Sequence, residues 1–326
     1  MEEYYLGIDI GGTKCAVILG DGNRRIIDKR TLGTDSLVSP EVMVGRILDA
    51  AEEVSGAHPD KKPVSAGISC GGPLNSRTGM ILSPPNLPGW DEVPIVQMVR
   101  ERLNIEVFLQ NDANACALAE WKFGEGQGCE NMIFLTFGTG MGAGLILNGR
   151  LYTGKQDMAG EIGHVRMEET GPVGFGKAGS FEGFCSGGGI AQLAAARGRE
   201  LLAAGLPVPY CPDCQNPENL KNLSAKDVAL WALKGEVEAL GIYRKSGEYL
   251  GRGLSILIDL LNPEKIIIGS IFARARNLLY PRMIEVIEKE SLSYSAEACE
   301  ILPAALGDEI GDIASLAVAV NGRKNK

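Results

Sequence analysis

Residues 6–19 read LGIDIGGTKCAVIL, and residues 133–147 read IFLTFGTGMGAGLIL. Each stretch predicts a strand, a glycine-rich turn and a second strand, because β-rich runs flank glycines that permit a tight turn. A third β-rich run follows each pair, at residues 26–30 and 150–152. This internal repeat predicts two related lobes that face each other across a cleft, with both turns directed at one ligand.

Hydrophobic periodicity places further strands and helices between and after the two repeats. Strands are predicted at residues 64–69, 105–109 and 265–268. Helices are predicted at residues 40–55, 95–103, 190–203, 224–233, 237–261, 273–288 and 309–320. A further helix is predicted to begin near Asp112. Strands mixed with helices in this way indicate α/β lobes, and the later part of the chain is mainly helical.

Composition limits the class of protein. The chain has 326 residues, of which 45% are hydrophobic and 22% charged, so it can form two globular domains. A net charge of -9 disfavours a general affinity for nucleic acid or anionic membranes. The N-terminus lacks a signal-peptide pattern, and no apolar run approaches the roughly 20 residues of a membrane helix, so we expect a cytoplasmic protein.

Eight cysteines are present, and most lie in apolar or small-residue segments typical of reduced, buried thiols. Cys211 and Cys214 form a CxxC pair, which is either a simple loop or a metal or redox site.

The turn Asp9-Ile-Gly-Gly-Thr13-Lys14 lies at the end of a predicted strand. Its glycines let backbone amides approach a phosphate, and Thr13 adds a hydroxyl donor. Asp9 there can hold Mg²⁺ through water. A tight β-turn without a ligand is the alternative. The second turn, residues 137–142, has the same chemistry, and neither turn opens into a helix with Walker or Rossmann spacing.

Three further groups of polar residues are candidates for a site. Asp112 follows a strand, where it can accept a proton from a hydroxyl group or simply cap the next helix. Glu161 and His164 are three residues apart and can converge on a ligand or form a surface turn. Glu182 lies in a small-residue segment predicted as a loop. Paired carboxylate and amide groups of this kind suit the hydroxyls of a sugar.

Eight segments, taken in order, resemble the ROK family of bacterial sugar kinases and related transcriptional repressors. They are GIDIGGTK, GISCGGPLN, PPNLPGW, QNDANACALAE, FGTGMGAGLI, AGEIGH, IIIGS and ALGDEIGDIASL. The resemblance implies an actin-like (ribonuclease H-like) ATPase fold with two lobes around a central cleft. The lobes are expected at residues 1–112 with 309–326, and at residues 113–308.

The resemblance also implies ATP-dependent phosphorylation of a hexose or hexose derivative at its 6-hydroxyl, with Mg²⁺ offsetting phosphate charge. Asp112 would be the general base. The nucleotide and its Mg²⁺ would be bound by Asp9, Gly11, Gly12, Thr13, Lys14, Gly138, Thr139 and Gly140, with Gly269 near the adenosine. The sugar would be bound by Asn86, Asn111, Asp112, Glu161, His164 and Glu182.

Two departures from the family pattern change these expectations. Many members follow the Gly-His pair with CxCGxxGC, whose three cysteines bind structural zinc together with the histidine. Here that stretch is VGFGKAGS, residues 173–180, so we predict that zinc is absent and that His164 serves the sugar alone. Family repressors carry a DNA-binding domain before the core, whereas here the first phosphate turn begins at residue 9.

Two alternatives from other functional classes are a catalytically silent sugar or nucleotide sensor and a structural or chaperone-type ATPase. The intact Asp112 and both phosphate turns favour a kinase over the sensor. The sugar-binding set favours it over the chaperone. Relatives commonly form dimers, so a homodimer is possible.

Overall fold

A computed structural model describes residues 2–214 and 216–324. They form two compact units, the first from residues 2–130, 144–159 and 305–324, and the second from residues 131–143 and 160–304. The predicted lobes differ by placing residues 113–130, 144–159 and 305–308 in the second lobe. Those lobe boundaries stay a prediction, and residues 1, 325 and 326 lie outside the described residues.

The strands follow one another in short runs along the chain. They are β1 Tyr4–Ile10, β2 Lys14–Asp21, β3 Ile26–Gly33, β4 Pro63–Cys70, β5 Leu74–Asn75, β6 Met80–Ile81, β7 Glu106–Asn111, β8 Met132–Leu135, β9 Ala143–Leu147, β10 Arg150–Tyr152, β11 Val173–Gly174, β12 Lys177–Ala178, β13 Lys265–Ile268 and β14 Glu300–Pro303.

The α-helices range from one turn to seven. They are α1 Pro40–Ala57, α2 Ile95–Leu103, α3 Asp112–Phe123, α4 Phe181–Phe184, α5 Gly187–Ala203, α6 Ala225–Ala232, α7 Val237–Leu261, α8 Ile271–Glu290, α9 Ser293–Glu297 and α10 Ile310–Lys324. Short 3₁₀ helices occur at Ile162–His164, Pro217–Asn222 and Gly307–Glu309. No helix among the described residues is long and apolar enough to span a bilayer.

The first unit contains a five-stranded sheet of order β3-β2-β1-β4-β7. β1 pairs antiparallel with β2 and parallel with β4, which pairs parallel with β7. Residues from β1, β2, β4 and β7 form the apolar core with α1 and α2. The parallel strands direct the C-terminal ends of β1, β4 and β7 to one edge of this sheet, where ligand sites of α/β proteins form.

Helix α10 packs closely on this sheet because glycines face it. A Cβ at Gly67 would lie 2.3 Å from the backbone carbonyl oxygen of Ser315, and one at Gly7 would lie 2.2 Å from the Ser315 hydroxyl. Leu316 and Val320 of the helix join a second buried cluster with Tyr5 and other sheet residues. Two glycines on the sheet thus allow the helix backbone to approach it directly.

The second unit contains the parallel strands β8, β13 and β14, with β13 in the middle. Helices α7 and α8 pack together on glycines of α7: a Cβ at Gly251 would lie 2.6 Å from the carbonyl oxygen of Met283. Glu236 caps the start of α7 by accepting hydrogen bonds from two backbone amides. Asn262 ends α7 in the left-handed conformation, with φ of 44°.

The structure confirms the longer elements predicted from the sequence and corrects one local expectation. Glu182 was predicted in a loop, but it lies in α4, a single helical turn that Ser180 caps by accepting from the Gly183 amide. Cys211 and Cys214 are joined by a disulfide, whereas the six other cysteines are free thiols.

Candidate active site

The first glycine-rich turn joins β1 to β2. The amide of Gly11 donates to the carbonyl of Lys14 at 3.0 Å, which closes a tight turn. A Cβ at Gly12 would lie only 2.4 Å from the carbonyl oxygen of Asn86, so glycine is needed for this close approach. Thr13 and Lys14 are exposed. The tight-turn geometry and exposed polar groups are both compatible with phosphate binding.

The two predicted sugar-binding asparagines lie beside the end of β4. A Cβ at Gly71 would be 3.1 Å from the side-chain nitrogen of Asn86. One at Gly72 would be 3.2 Å from the side-chain nitrogen of Asn111. The glycine pair after β4 therefore leaves room for both amide side chains, and the first unit brings these predicted residues together.

Asp112 is the first residue of α3 and directly follows β7. Asn111, not Asp112, is the N-cap: its side-chain oxygen accepts a hydrogen bond from the amide of Ala113 at 2.9 Å. The alternative that Asp112 caps the helix is wrong. Asp112 Oδ1 also accepts from the Ala113 amide, at 2.8 Å. This contact orients the carboxylate, which is exposed.

The surroundings of Asp112 make it more basic than an ordinary aspartate. Loss of hydration raises its pKa, and hydrogen bonds from Ala113, its own amide and Asn111 lower the pKa by less. The loss of hydration shows that protein atoms crowd the carboxylate. The residue is nevertheless exposed, so the carboxylate is not closed off from solvent. A raised pKa favours proton uptake by a carboxylate that acts as a general base.

Asp9 lies at the end of β1, and its pKa is raised to about 6. Burial is the main cause, and the negative charges of Asp312 and Asp112 add to it, while a hydrogen bond with Ser69 opposes it. Asp312 pairs with Lys29. Asp312 lies in the family-like segment ALGDEIGDIASL but was not predicted as a site residue. Its position in the first turn of α10 was the available signal.

This group of carboxylates fits hydrated Mg²⁺. Mg²⁺ is usually held by one or two carboxylates, waters and substrate phosphates, and a dication would offset the repulsion that raises the Asp9 pKa. Within residues 2–214 and 216–324, no three His, Cys, Asp or Glu side chains are grouped to enclose a metal directly. The predicted absence of zinc stays a prediction that metal analysis of the purified protein tests.

The second glycine-rich turn, residues 137–142, lies against the N-termini of two helices in the second unit. The amide of Gly187 at the start of α5 donates to the carbonyl of Gly138 at 2.8 Å. The amide of Ile271 at the start of α8 donates to the carbonyl of Phe137 at 2.9 Å. Helix N-termini attract anions, so this placement suits the phosphates of a nucleotide.

Glu182 and the segment with Glu161 and His164 pack around the same turn. Glu182 Oε2 accepts from the amide of Met141 at 2.9 Å. A Cβ at Gly163 would lie 2.1 Å from the Met141 carbonyl oxygen and 3.3 Å from Glu182 Cβ. Glu161 and His164 flank this buried glycine and are exposed. The second unit thus brings the three predicted sugar-binding residues to one glycine-rich turn.

A cavity of about 720 Å³ opens beside this turn within the second unit. Its volume is within the usual range for small-molecule and cofactor sites, and its walls are mainly apolar with a few polar groups. Gly269 is buried against Phe134, and its neighbour Ser270 lines the cavity. The lining residues are Gly138, Thr139, Gly187, Gly188, Ala191, Leu223, Ser224, Ala225, Lys226, Ala229, Tyr243, Ser270, Ile271, Arg274 and Ala275.

Most of these lining residues were not identified from the sequence. They come from the starts of α5, α6 and α8, which are far apart in the chain. The available signals were the Ser186 and Ser224 caps, which mark helix N-termini. Nothing in their local sequence indicates that these helix starts meet around one cavity.

Comparison with known proteins agrees with this geometry. The glucokinase of Halalkalibacterium halodurans is 32% identical to this chain over 316 residues, covering 96% of this chain and 93% of the relative. The crystal structure of a ROK hexokinase from Thermus thermophilus has a TM-score of 0.81 and 27% identity, covering 99% of this chain and 100% of its own. A ROK glucokinase from Streptomyces griseus, solved with glucose and AMPPNP, has a TM-score of 0.74 and 26% identity, covering 98% and 100%.

These comparisons decide the fold and the family. The two solved structures are sugar kinases with the actin-like ATPase fold, so the predicted α/β fold class is confirmed. The sequence model of the ROK family matches residues 5–321. This match includes both glycine-rich turns, Asp112 and the Glu161 to Glu182 region. The chain belongs to the ROK family.

Proposed function

We propose that this protein is an ATP-dependent sugar kinase that transfers the γ-phosphate of ATP to a hexose or hexose derivative, at the 6-hydroxyl. The observation that carries the proposal is Asp112, an accessible carboxylate of raised pKa at the C-terminal end of a parallel strand. A protein that only sensed sugar would have no need of a base there. Relatives named glucokinase and a related structure with glucose and AMPPNP support the same chemistry.

In the proposed reaction, Asp112 accepts the proton of the sugar hydroxyl. Its Oδ1 is held by the Ala113 amide, which orients the carboxylate that takes the proton. The sugar oxygen then forms a bond to the γ-phosphorus as the bond to the β-phosphate oxygen breaks, and ADP leaves. Asn86 and Asn111 supply amide groups for the sugar hydroxyls, as do the carboxylates of Glu161 and Glu182 and the imidazole of His164.

The nucleotide is assigned to the second unit by its chemistry. The phosphates would lie at the turn of Gly138, Thr139 and Gly140, where two helix N-termini favour negative charge. The adenosine would occupy the neighbouring cavity, because apolar walls suit a purine ring. Gly11, Gly12, Thr13 and Lys14 of the first turn are proposed as the other phosphate contacts. Mg²⁺, held through water near Asp9, would offset phosphate charge.

A coupled ADP-release assay tests this function. Purified protein with Mg-ATP would be given glucose, fructose, mannose and N-acetylated hexosamines, with a no-sugar control. We expect ADP release that depends on one class of sugar. Absence of release with all sugars, together with sugar binding measured by calorimetry, would instead favour the silent sensor.

The position of transfer has a separate test. The 6-deoxy analogue of the best substrate keeps every other hydroxyl but has no acceptor at carbon 6. We expect it to inhibit competitively against the sugar and to release no ADP above the no-sugar control. Sugar-dependent turnover of the 6-deoxy analogue would show that another hydroxyl is phosphorylated.

A further inference from the structure

The stretch that departs from the family's cysteine motif forms a hairpin of its own. β11 and β12 pair antiparallel, with Val173 opposite Ala178, and Phe175 and Gly176 form the connection. We propose that this hairpin positions His164 and Glu182 for the sugar, with Phe175 as the positioning residue that holds the His164 ring. This inference rests on the proposed kinase function.

Side chains outside the hairpin fix its base. Gln192 of α5 forms two hydrogen bonds with the backbone of Val173: its oxygen accepts from the amide at 2.8 Å, and its nitrogen donates to the carbonyl at 2.9 Å. Arg166 donates to the carbonyl of Ala178 at 2.9 Å. Both ends of the hairpin are therefore anchored, so that its tip is held in a defined position.

The tip of the hairpin contacts His164 in two ways. The rings of Phe175 and His164 meet edge to face, with centroids 6.4 Å apart and planes at 74°. Aromatic pairs favour this arrangement. The ammonium group of Lys177 donates to the backbone carbonyl of His164 at 2.8 Å. One contact restrains the ring and the other restrains the backbone that carries it.

Gly174, which lies opposite Lys177 in the hairpin, contacts the helix turn that carries Glu182. A Cβ at Gly174 would lie 2.6 Å from the amide of Gly183 and 2.8 Å from Glu182 Cβ. Gly174 is buried, so the hairpin backbone packs directly on α4. The same six residues thus touch both His164 and the helix turn that carries Glu182, which itself binds the Met141 amide of the phosphate turn.

Ordinary folding preferences do not explain a phenylalanine at residue 175. Its surface is 76% exposed, so burial of the ring adds little to stability. Its φ of 40° lies in a region that favours glycine or asparagine over a bulky side chain. The ring's described aromatic contact is with His164. An outlier of this kind beside a ligand-binding residue indicates a role in the site.

Steady-state kinetics of Phe175→Ala and Phe175→Tyr test the inference. We expect Phe175→Ala to raise the KM for sugar about threefold to tenfold, the range for loss of one edge-on aromatic contact, with little change in kcat or in the KM for ATP. Phe175→Tyr keeps the ring and should restore the wild-type KM. Tyr294→Ala removes an aromatic residue that is 87% exposed on α9 and should change none of these values.

Different outcomes separate this inference from the kinase proposal. An unchanged sugar KM in Phe175→Ala, with an active wild type, would overturn the inference alone. A change in the KM for ATP as large as the change in the KM for sugar, together with a change in Tm, would show a general structural role. That result would also overturn the inference. If the wild type released no ADP, the kinase proposal would fail, and calorimetry would still decide whether Phe175→Ala weakens sugar binding threefold to tenfold.

Discussion

At the scale of single residues, Asn111 and Asp112 have separate tasks. Asn111 caps α3, so the fold does not depend on the Asp112 carboxylate for this helix start. We therefore expect Asp112→Asn to lower kcat about 10²- to 10⁴-fold, the usual contribution of a general base. Sugar affinity by calorimetry should stay close to that of the wild type, and Tm should be no lower. Unchanged turnover would remove Asp112 from the mechanism.

Asp9 offers a prediction about stability and pH. Because folding raises its pKa to about 6, the folded protein binds this proton more tightly than the unfolded chain does. Stability from this group therefore falls as pH rises from about 4 to above 6. Asp9→Asn cannot ionise, so without Mg²⁺ it should be more stable than the wild type at pH 8, by on the order of 1 kcal/mol, and the gain should be smaller at pH 5.

Thermal denaturation at the two pH values measures this difference. Asp213→Asn, in an exposed loop, is the matched control for the loss of one carboxylate. An Asp9→Asn variant less stable than the wild type at pH 8 would contradict the cost of a buried charge at this site. Reduced kinase activity of the stabilised variant would show that the buried Asp9 charge is retained for function.

At the scale of elements, two helical glycines should respond in opposite ways to alanine. Gly45 of α1 has open space around a new Cβ, so Gly45→Ala should stabilise the protein by about 0.5–1 kcal/mol. In α7, a Cβ at Gly253 would lie 2.2 Å from the buried ring of Phe181. Gly253→Ala should destabilise the protein by about 1–3 kcal/mol. Urea unfolding of both variants measures the change in the free energy of unfolding, which should be opposite in sign for the two. A Gly253→Ala variant as stable as the wild type would mean that α4 can move away from the new methyl group.

Elements with a strong internal pattern were predictable from the sequence. α7 combines an apolar periodic run with Asn262 as its stop signal, and its bounds were predicted as found. β14 was missed because Glu300 to Pro303 has only one buried residue and becomes a strand by pairing with β13. Such pairing depends on residues distant in sequence, which local propensity does not contain.

The candidate site shows the same limit. Motifs identified the glycine-rich turns and the polar residues beside them, because chemistry at a phosphate or sugar needs those residue types. They did not identify the Met141 amide as the partner of Glu182, or Phe175 as the neighbour of His164. Both contacts arise from packing of α4 and of the short hairpin. These segments are too short to show the hydrophobic periodicity from which helices and strands are predicted.

At the scale of the whole molecule, the proposed nucleotide site can be mapped by hydrogen exchange. Mg-ADP should slow amide exchange in residues 137–142, 187–191, 223–229 and 270–275, which surround the cavity of the second unit. Residues 40–57 of α1 belong to the first unit, which does not contribute to this cavity, and serve as the internal control. Protection confined to other segments would exclude this cavity as the adenosine site.

A homodimer and a cytoplasmic location stay predictions. Light scattering of the purified chain measures the mass of the particle in solution against 34.7 kDa for one copy. A mass of twice that value would support the dimer.

Helix α10 has a consequence for how a cell makes this protein. The helix covers Tyr5 and Ile18 on the first sheet, yet it is built from residues 310–324. A ribosome would release the sheet-forming segment long before this helix, by roughly 10–40 s at ordinary rates of synthesis. During that interval α10 is not yet available to cover the apolar face of the nascent sheet. Newly made chains should therefore depend on chaperones, or on delayed folding of the first unit, until α10 has been synthesised.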